Sequence, residues 1–235
     1  MTYNILNGAG VETLSPGNRE WAEERGYSGN RLPQVLDVVK SVSPNILGVQ
    51  EAHQWDLGEP AVAETVAQEL GMHYFLARSG NSGSGYAHVV LFSKHPILSA
   101  EGFTSQFTRA ALHAQIQLDG NQILHVFVVH LDSTSSAVRQ QECRFLVSQM
   151  APHIDGATVL MGDMNSIEGQ PESDILRNAG WRYLAGPGTH GGWALDQFWV
   201  SPSLAERITQ QPHIPGGATV EVSDHLPLVM GISVP

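Results

Sequence analysis

The sequence predicts a mixed-sheet α/β domain with its helices on the outside, and three observations carry that reading. Short apolar runs bounded by Gly, Pro or polar residues recur along the chain, as strands do. Between several of them stand stretches whose apolar residues fall at helical spacing. One pair of runs, Leu112–Leu118 and Ile123–Val129, is joined across Asp119-Gly120, a hairpin signal that makes at least part of the sheet antiparallel.

Taken in order, the opening Thr2–Leu6 looks like a strand, and the glycine-rich stretch Gly8–Asn30 reads as a long loop. Arg31–Val42 is helical, with Leu32, Val35, Leu36, Val38 and Val39 mostly on one face that belongs in a core. Ile46–Val49 is a strand and Val62–Leu70 a helix. A glycine–serine loop over Arg78–Gly85 precedes the strand Val89–Phe92, and the hairpin follows. Ser136–Met150 and Pro171–Asn178 read as helices flanking the strand Thr158–Met161, and Gln197–Val200 and Leu228–Ile232 as the last strands. No repeat or long linker divides the chain, so residues 1–235 read as one domain.

Composition narrows the function classes. Hydrophobic residues make up 42% and charged residues 15%, which excludes disorder and coiled coils. The single cysteine, Cys143, excludes an internal disulfide and a cysteine-based zinc site, and reads as packing. No apolar run is long enough for a membrane span, and no leader is evident, which makes a cytoplasmic location the default. With Lys+Arg at 12 against Asp+Glu at 23, the net charge of −11 disfavours nucleic acid as a partner.

The chemistry is concentrated where strands end in polar residues: Asn4; Gln50-Glu51; His130-Leu131-Asp132; Gly162-Asp163-Met164-Asn165; Asp196; and Ser223-Asp224-His225. Carboxylates are hard ligands that suit Mg²⁺ or Mn²⁺ and leave room for phosphate oxygens. Singly, each is an ordinary turn or cap residue.

In that order the six motifs resemble those of the endonuclease/exonuclease/phosphatase superfamily, the DNase I-like fold, from Tyr3 to Ile232. The intervening Gly29-Asn30-Arg31-Leu32, Leu91–Ile97, Thr108–Leu112 and Arg139-Gln140 agree with it. The resemblance implies a four-layer α-β-β-α sandwich, two mixed sheets packed face to face with helices outside. It implies a metal-dependent phosphoesterase, with Mg²⁺ (Mn²⁺ as an alternative) held by Glu51 and Asp224. Asn4 would hydrogen-bond to metal water or phosphate. Asp163 would act as general base or position the attacking water, while Asn165 would donate to a phosphoryl oxygen. Asp196 and His225 would form a carboxylate–imidazole pair with a cationic ring, and His130 would be a second, also cationic, acid on the phosphate side. Arg109 reads either as a contact to the substrate phosphate or as a structural ion-pair partner, and Asp132 and Thr189 stay equally open.

The other histidines lack metal-ligand spacing such as His-x-x-x-His and read as fillers, with His190 the one placed to line a pocket. Trp21, Trp55, Trp181 and Trp193 could flank a substrate or cover core edges. With only two lysines, Lys40 and Lys94, a wide basic groove is hard to build, so a small or lipid-like phosphoester is the expected substrate. A nuclease using Arg19, Arg25, Arg31, Arg78 and Arg109 is the alternative, and a non-catalytic binding module the alternative from another class. No Gly-x-Ser-x-Gly elbow supports a serine hydrolase.

Overall fold

A computed structural model describes residues 1–8, 16–79 and 88–233. The element order is β1 (Thr2–Asn4), α1 (Pro16–Glu23), α2 (Leu32–Val42), β2 (Ile46–Gln50), α3 (Val62–Leu70), β3 (His73–Ala77), β4 (Val89–Ser93), β5 (Ile97–Phe103), β6 (Ala110–Gln117), β7 (Ile123–His130), α4 (Ser136–Met150), β8 (Ala157–Asp163), α5 (Pro171–Asn178), β9 (Arg182–Leu184), β10 (Asp196–Val200), α6 (Pro202–Ala205), β11 (Ile208–His213) and β12 (Val229–Ile232).

Two mixed sheets form the centre, one ordered β1-β2-β4-β3 and the other β5-β6-β7-β8-β10-β9. The β1–β2 and β7–β8 pairs are parallel, and the other pairs of these two sheets are antiparallel. The β11–β12 ribbon is tied to the smaller sheet by paired backbone hydrogen bonds between Thr2 and Leu228.

The apolar runs are continuous because both faces of the central strands are buried. In β4, Val89 and Leu91 enter the core between the sheets, while Val90 and Phe92 meet α2 and α3. In β7, Val126 and Val128 face inward, while Phe127 and Val129 meet Cys143 and Leu146 of α4. The expected four-layer sandwich follows from that alternation. The sheets approach closely at Gly48, where an added Cβ would lie 2.9 Å from Val128 Cγ1 and 3.0 Å from Met161 Cε.

One local expectation changes, and another lies mostly beyond the described residues. Gly8–Asn30 is not wholly a loop, because α1 occupies Pro16–Glu23, and the loop expected over Arg78–Gly85 falls largely outside the described residues. Strands β5, β9 and β11 carry no continuous apolar run, and β3 only the short Tyr74–Ala77; β3, β5 and β9 lie at sheet edges and β11 in the two-stranded ribbon.

Candidate active site

The site is the polar end of the inter-sheet core. Register aligns His130 with Asp163 across β7 and β8, and Asp163 with Asp196 across β8 and β10. These residues continue the inward-facing rows Val126–Val128, Val159–Met161 and Phe198–Val200, so that the period-2 alternation sends all three into the same gap. In the facing sheet Asn4 is in register with Gln50 at the ends of β1 and β2, and Glu51 follows immediately. Ser223 Oγ donates to the Asn4 carbonyl at 2.8 Å, bringing Asp224 and His225 to the same edge.

Sharp turns aim these side chains. Leu6, Asn7, Glu51 and Asn165 all have positive φ, four of the six non-glycine residues that do so among those described. Such a backbone costs about 1–2 kcal/mol per residue away from glycine, and clustering of that strain is a mark of functional sites. Gly162 has φ 143°, and a Cβ there would sit 2.0 Å from the Val129 carbonyl oxygen. Only glycine fits directly before Asp163.

Asp163 Oδ2 is the hub. It accepts from Asn4 Nδ2 at 3.0 Å, and lies 3.4 Å from His130 Nε2 and 3.8 Å from His225 Nε2. Its other oxygen accepts the Asn165 backbone N–H at 2.9 Å. Burial works against the charge, but the two imidazoles and these hydrogen bonds outweigh it and hold the carboxyl below its usual range.

His225 Nδ1 lies 2.7 Å from Asp196 Oδ2, and Thr189 Oγ1 accepts the Asp196 backbone N–H at 3.2 Å. Burial opposes protonation of His225, yet the Asp196, Asp163 and Asp224 carboxylates raise its pKa to about 10. The ring is a cation at neutral pH. His190, the remaining histidine expected to line the pocket, packs against His225 at 4.4 Å between centroids with the rings tilted by 37°, its Nδ1 3.7 Å from Asp224 Oδ2.

His130 behaves differently from expectation. It is buried, and Arg109 Nη1 donates to its Nε2 at 2.9 Å. A guanidinium has no lone pair to offer, so Nε2 must be the acceptor and the ring neutral. Burial and the Arg109 charge both hold its pKa well below the ordinary histidine value. The proposed cation is therefore His225 and not His130.

Arg109 Nη1 also lies 3.4 Å from Glu51 Oε1, and Nη2 donates to Ser133 Oγ at 2.8 Å, so the arginine joins the site and pairs within it. Asp132 is a turn residue, its Oδ1 accepting from Thr134 N, Thr134 Oγ1 and Ser135 N. Asn165 commits its side-chain amide to the Leu131 carbonyl at 3.0 Å, leaving one amide hydrogen for any other partner. The sequence reading did not single out Glu142. This carboxylate of α4, 1% exposed, accepts from the backbone N–H groups of Thr108 and Asp132 and so braces the segments bearing Arg109 and His130. Its helical context looks like any solvated face, and no pattern marks it.

The donor set fits a hard divalent cation. Burial raises the carboxyls of Glu51 and Asp224; the charges of Asp224 and Asp163 raise Glu51 further, and those of Asp163 and Asp196 raise Asp224. Asp224 Oδ1 is buried without a hydrogen-bond partner. His190, Asp224 and His225 each offer one ligand atom within 4.8 Å of the others, as do Asp163, Asp196 and His225. A protonated His225 cannot ligate, which leaves the Asp163, Asp196 and Asp224 carboxylates beside the single His190 ring, a set weighted towards the oxygen donors that Mg²⁺ or Mn²⁺ prefer.

A sequence profile of the Endonuclease/Exonuclease/phosphatase family matches residues 1–225. The chain belongs to this family. Its members are hydrolytic phosphoesterases, and the chain is a hydrolase of that general class. No curated protein matches the sequence. Among solved structures, a mannosyl-6-phosphatase of Bacteroides thetaiotaomicron VPI-5482 superposes with TM-score 0.73 at 15% identity, covering 99% of this chain and 98% of that one. The human Nocturnin catalytic domain, with a bound sulfate, gives 0.69 at 18% identity, covering 97% of this chain and 90% of that one. A functionally unknown conserved protein of Enterococcus faecalis V583 gives 0.73 at 16%, covering 99% and 98%. At these identities the structural likeness within the family is one of fold.

The arginines expected to form a nucleic-acid patch are partly spent elsewhere. Arg31 is buried and donates to the carbonyls of Leu6 and Val222, bracing the turn after Asn4. Arg78 is ion-paired with Asp56 at 2.8 Å. Of the tryptophans, Trp55 and Trp181 are core, whereas Trp193 is 60% exposed in the turn that carries His190. Among the described residues no helix is long and apolar enough to cross a membrane.

Proposed function

We propose that the chain, acting as one domain, is a Mg²⁺-dependent phosphoesterase that hydrolyses a small or lipid-like phosphomonoester or phosphodiester by attack of an activated water. The observation that carries the reading is the convergence of Asn4, His130 and His225 on one oxygen of Asp163.

Glu51 and Asp224 would hold the cation. Bound there, Mg²⁺ would withdraw charge from the phosphoryl oxygens and acidify water. Asp163, ionised and buried, takes the proton from the attacking water, and Asn4 fixes the direction of its oxygen. His225 presents a cationic Nε2 to the transferring phosphoryl group, while Asp196 fixes its tautomer and holds its charge. Arg109 offers its guanidinium to an equatorial oxygen. His130, its Nε2 lone pair released from Arg109, can take the water's proton from Asp163 Oδ2, 3.4 Å away, and deliver it to the leaving oxygen of the phosphoryl group as the ester bond breaks. Asn165 supplies its second amide hydrogen to the same group.

The acidic balance and the spent arginines favour a compact substrate over a duplex, and the exposed Trp193 beside His190 provides an apolar face for an organic moiety. A panel of phosphomonoesters, phosphodiesters and oligonucleotides with Mg²⁺, Mn²⁺ and Ca²⁺ tests this. Turnover of small esters with Mg²⁺, abolished in Glu51→Gln and His225→Ala, is the expected result. Retained turnover in both variants removes the mechanism, and salt-sensitive cleavage of oligonucleotides alone moves the substrate to nucleic acid.

A further inference from the structure

We propose that the chain carries a second metal site, remote from the phosphoesterase centre, at which His113, His125 and His153 bind a borderline divalent cation such as Zn²⁺. By sequence alone these three read as fillers, because no short spacing links them. The fold supplies what spacing does not. His113 and His125 stand on neighbouring strands β6 and β7, where Gln115 is in register with His125 and His113 with Phe127. They are therefore diagonal neighbours on one face of the sheet. The 3-10 turn Ala151–His153 after α4 sets His153 over them.

The nitrogens are close to ligand geometry. His113 Nε2 lies 3.0 Å from His125 Nδ1, and one nitrogen from each of the three rings lies within 4.8 Å of the others. Two imidazole nitrogens on one tetrahedral Zn²⁺ stand roughly 3.3 Å apart, given bonds of about 2.0–2.1 Å. Glu101, the register partner of His113 on β5, places Oε1 3.5 Å from its Nδ1. A proton held there leaves the Nε2 lone pair facing the cluster, the carboxylate–histidine arrangement that orients metal ligands. Burial lowers the pKa of all three rings, His125 to about 4, so neutral imidazoles are on offer.

At present His125 and His153 stack at 3.8 Å between centroids. A cation requires His153 to turn edge-on, which its half-buried side chain can do while its carbonyl keeps the 2.8 Å bond from Thr158 Oγ1. The cleft alongside, about 440 Å³ and lined by Ser99, Glu101, Gln115 and Ser148 among others, has room for water as a fourth ligand. Five steps along β7, about 16 Å at roughly 3.3 Å each, lead from His125 to His130, so the two centres do not share ligands.

The test uses the full chain, stripped of metal and then held in excess Mg²⁺ to occupy the phosphoesterase centre. Co²⁺ serves as the optical probe and Zn²⁺ as its competitor. One equivalent of Co²⁺ with tetrahedral visible bands, displaced by Zn²⁺, is expected, with a rise of several degrees in Tm on adding Zn²⁺. His153→Gln, on a half-exposed turn, should keep the fold and Mg²⁺-dependent turnover while losing the bands and the Tm rise; His113→Gln with His125→Gln should lose them too. Absence of the bands in the parent chain, or bands and stoichiometry unchanged in His153→Gln, overturns the site. Because the readout is optical, it is independent of whether any phosphoester is turned over.

Discussion

Asp163 and Asp196 are register partners across β8 and β10, yet they address opposite sides of one imidazole: Asp196 Oδ2 is 2.7 Å from Nδ1 of His225, and Asp163 Oδ2 is 3.8 Å from Nε2. Two carboxylates fixed by a single sheet register thus flank the ring, and in the proposed mechanism one holds it while the other faces the reacting side.

Asp196→Asn should remove the charge that keeps His225 protonated. The parent enzyme is expected to lose activity as pH rises through about 10, where His225 gives up its proton. In the variant that alkaline limb moves to lower pH, and kcat falls by about 10²–10⁴ with little change in KM. A limb at the same pH in both proteins would show that His225 is not the group being titrated.

On the proposed function, the acid side is governed by Glu51 and Asp224, the carboxylates proposed to hold the metal. Asp163 is held below the ordinary range and stays ionised in mild acid, whereas Glu51 and Asp224 are raised. Ligands must be deprotonated to bind, so Mg²⁺ affinity should decline as pH falls through their raised values, and binding near that range should release protons. Calorimetric titrations in buffers of different ionisation enthalpy measure that proton release directly; equal heats in all buffers would contradict it.

Arg109→Gln should free His130 to take a proton. The variant's His130 resonance is expected to titrate closer to the ordinary histidine range, because one of the three influences that lower it, after burial and beside the His225 charge, is gone. Turnover should drop by about 10–100-fold through loss of charge at the phosphoryl oxygens. An unmoved His130 titration would show that burial and the His225 charge keep the ring neutral without Arg109.

Gly162→Ala should be among the most damaging methyl additions in the chain. With φ 143° and the Val129 carbonyl oxygen 2.0 Å from the new Cβ, the β7–β8 pairing beside His130 and Asp163 must open. A loss of about 3 kcal/mol or more in chemical denaturation is expected, or failure to fold. A stable variant with unchanged hydrolysis would mean the bend in β8 relaxes freely.

How much of this was legible beforehand follows the physics of burial. Central strands such as β4, β7 and β8 are packed on both faces and announce themselves as apolar runs. The strands that went unread lie at sheet edges or in the ribbon, and sequences such as Ile208–His213 carry no such run. The motif residues were legible because each follows a readable strand or belongs to a short polar motif. The neutrality of His130 was not, since it depends on where a guanidinium some twenty residues away comes to rest. Nor was the His113–His125–His153 cluster, which only the β6–β7 register and the turn after α4 assemble.

The narrow spacing at Gly48 bears on all of these residues at once. Asn4 and Glu51 ride on one sheet and His130, Asp163 and Asp196 on the other, so the distance between the sheets is also the distance between the two halves of the chemistry. Val128 and Met161, two residues short of His130 and Asp163 on the same strands, rest against Gly48 like the jaws of a calliper. Even a methyl inserted there would act as a wedge, spreading the reacting groups without touching any of them.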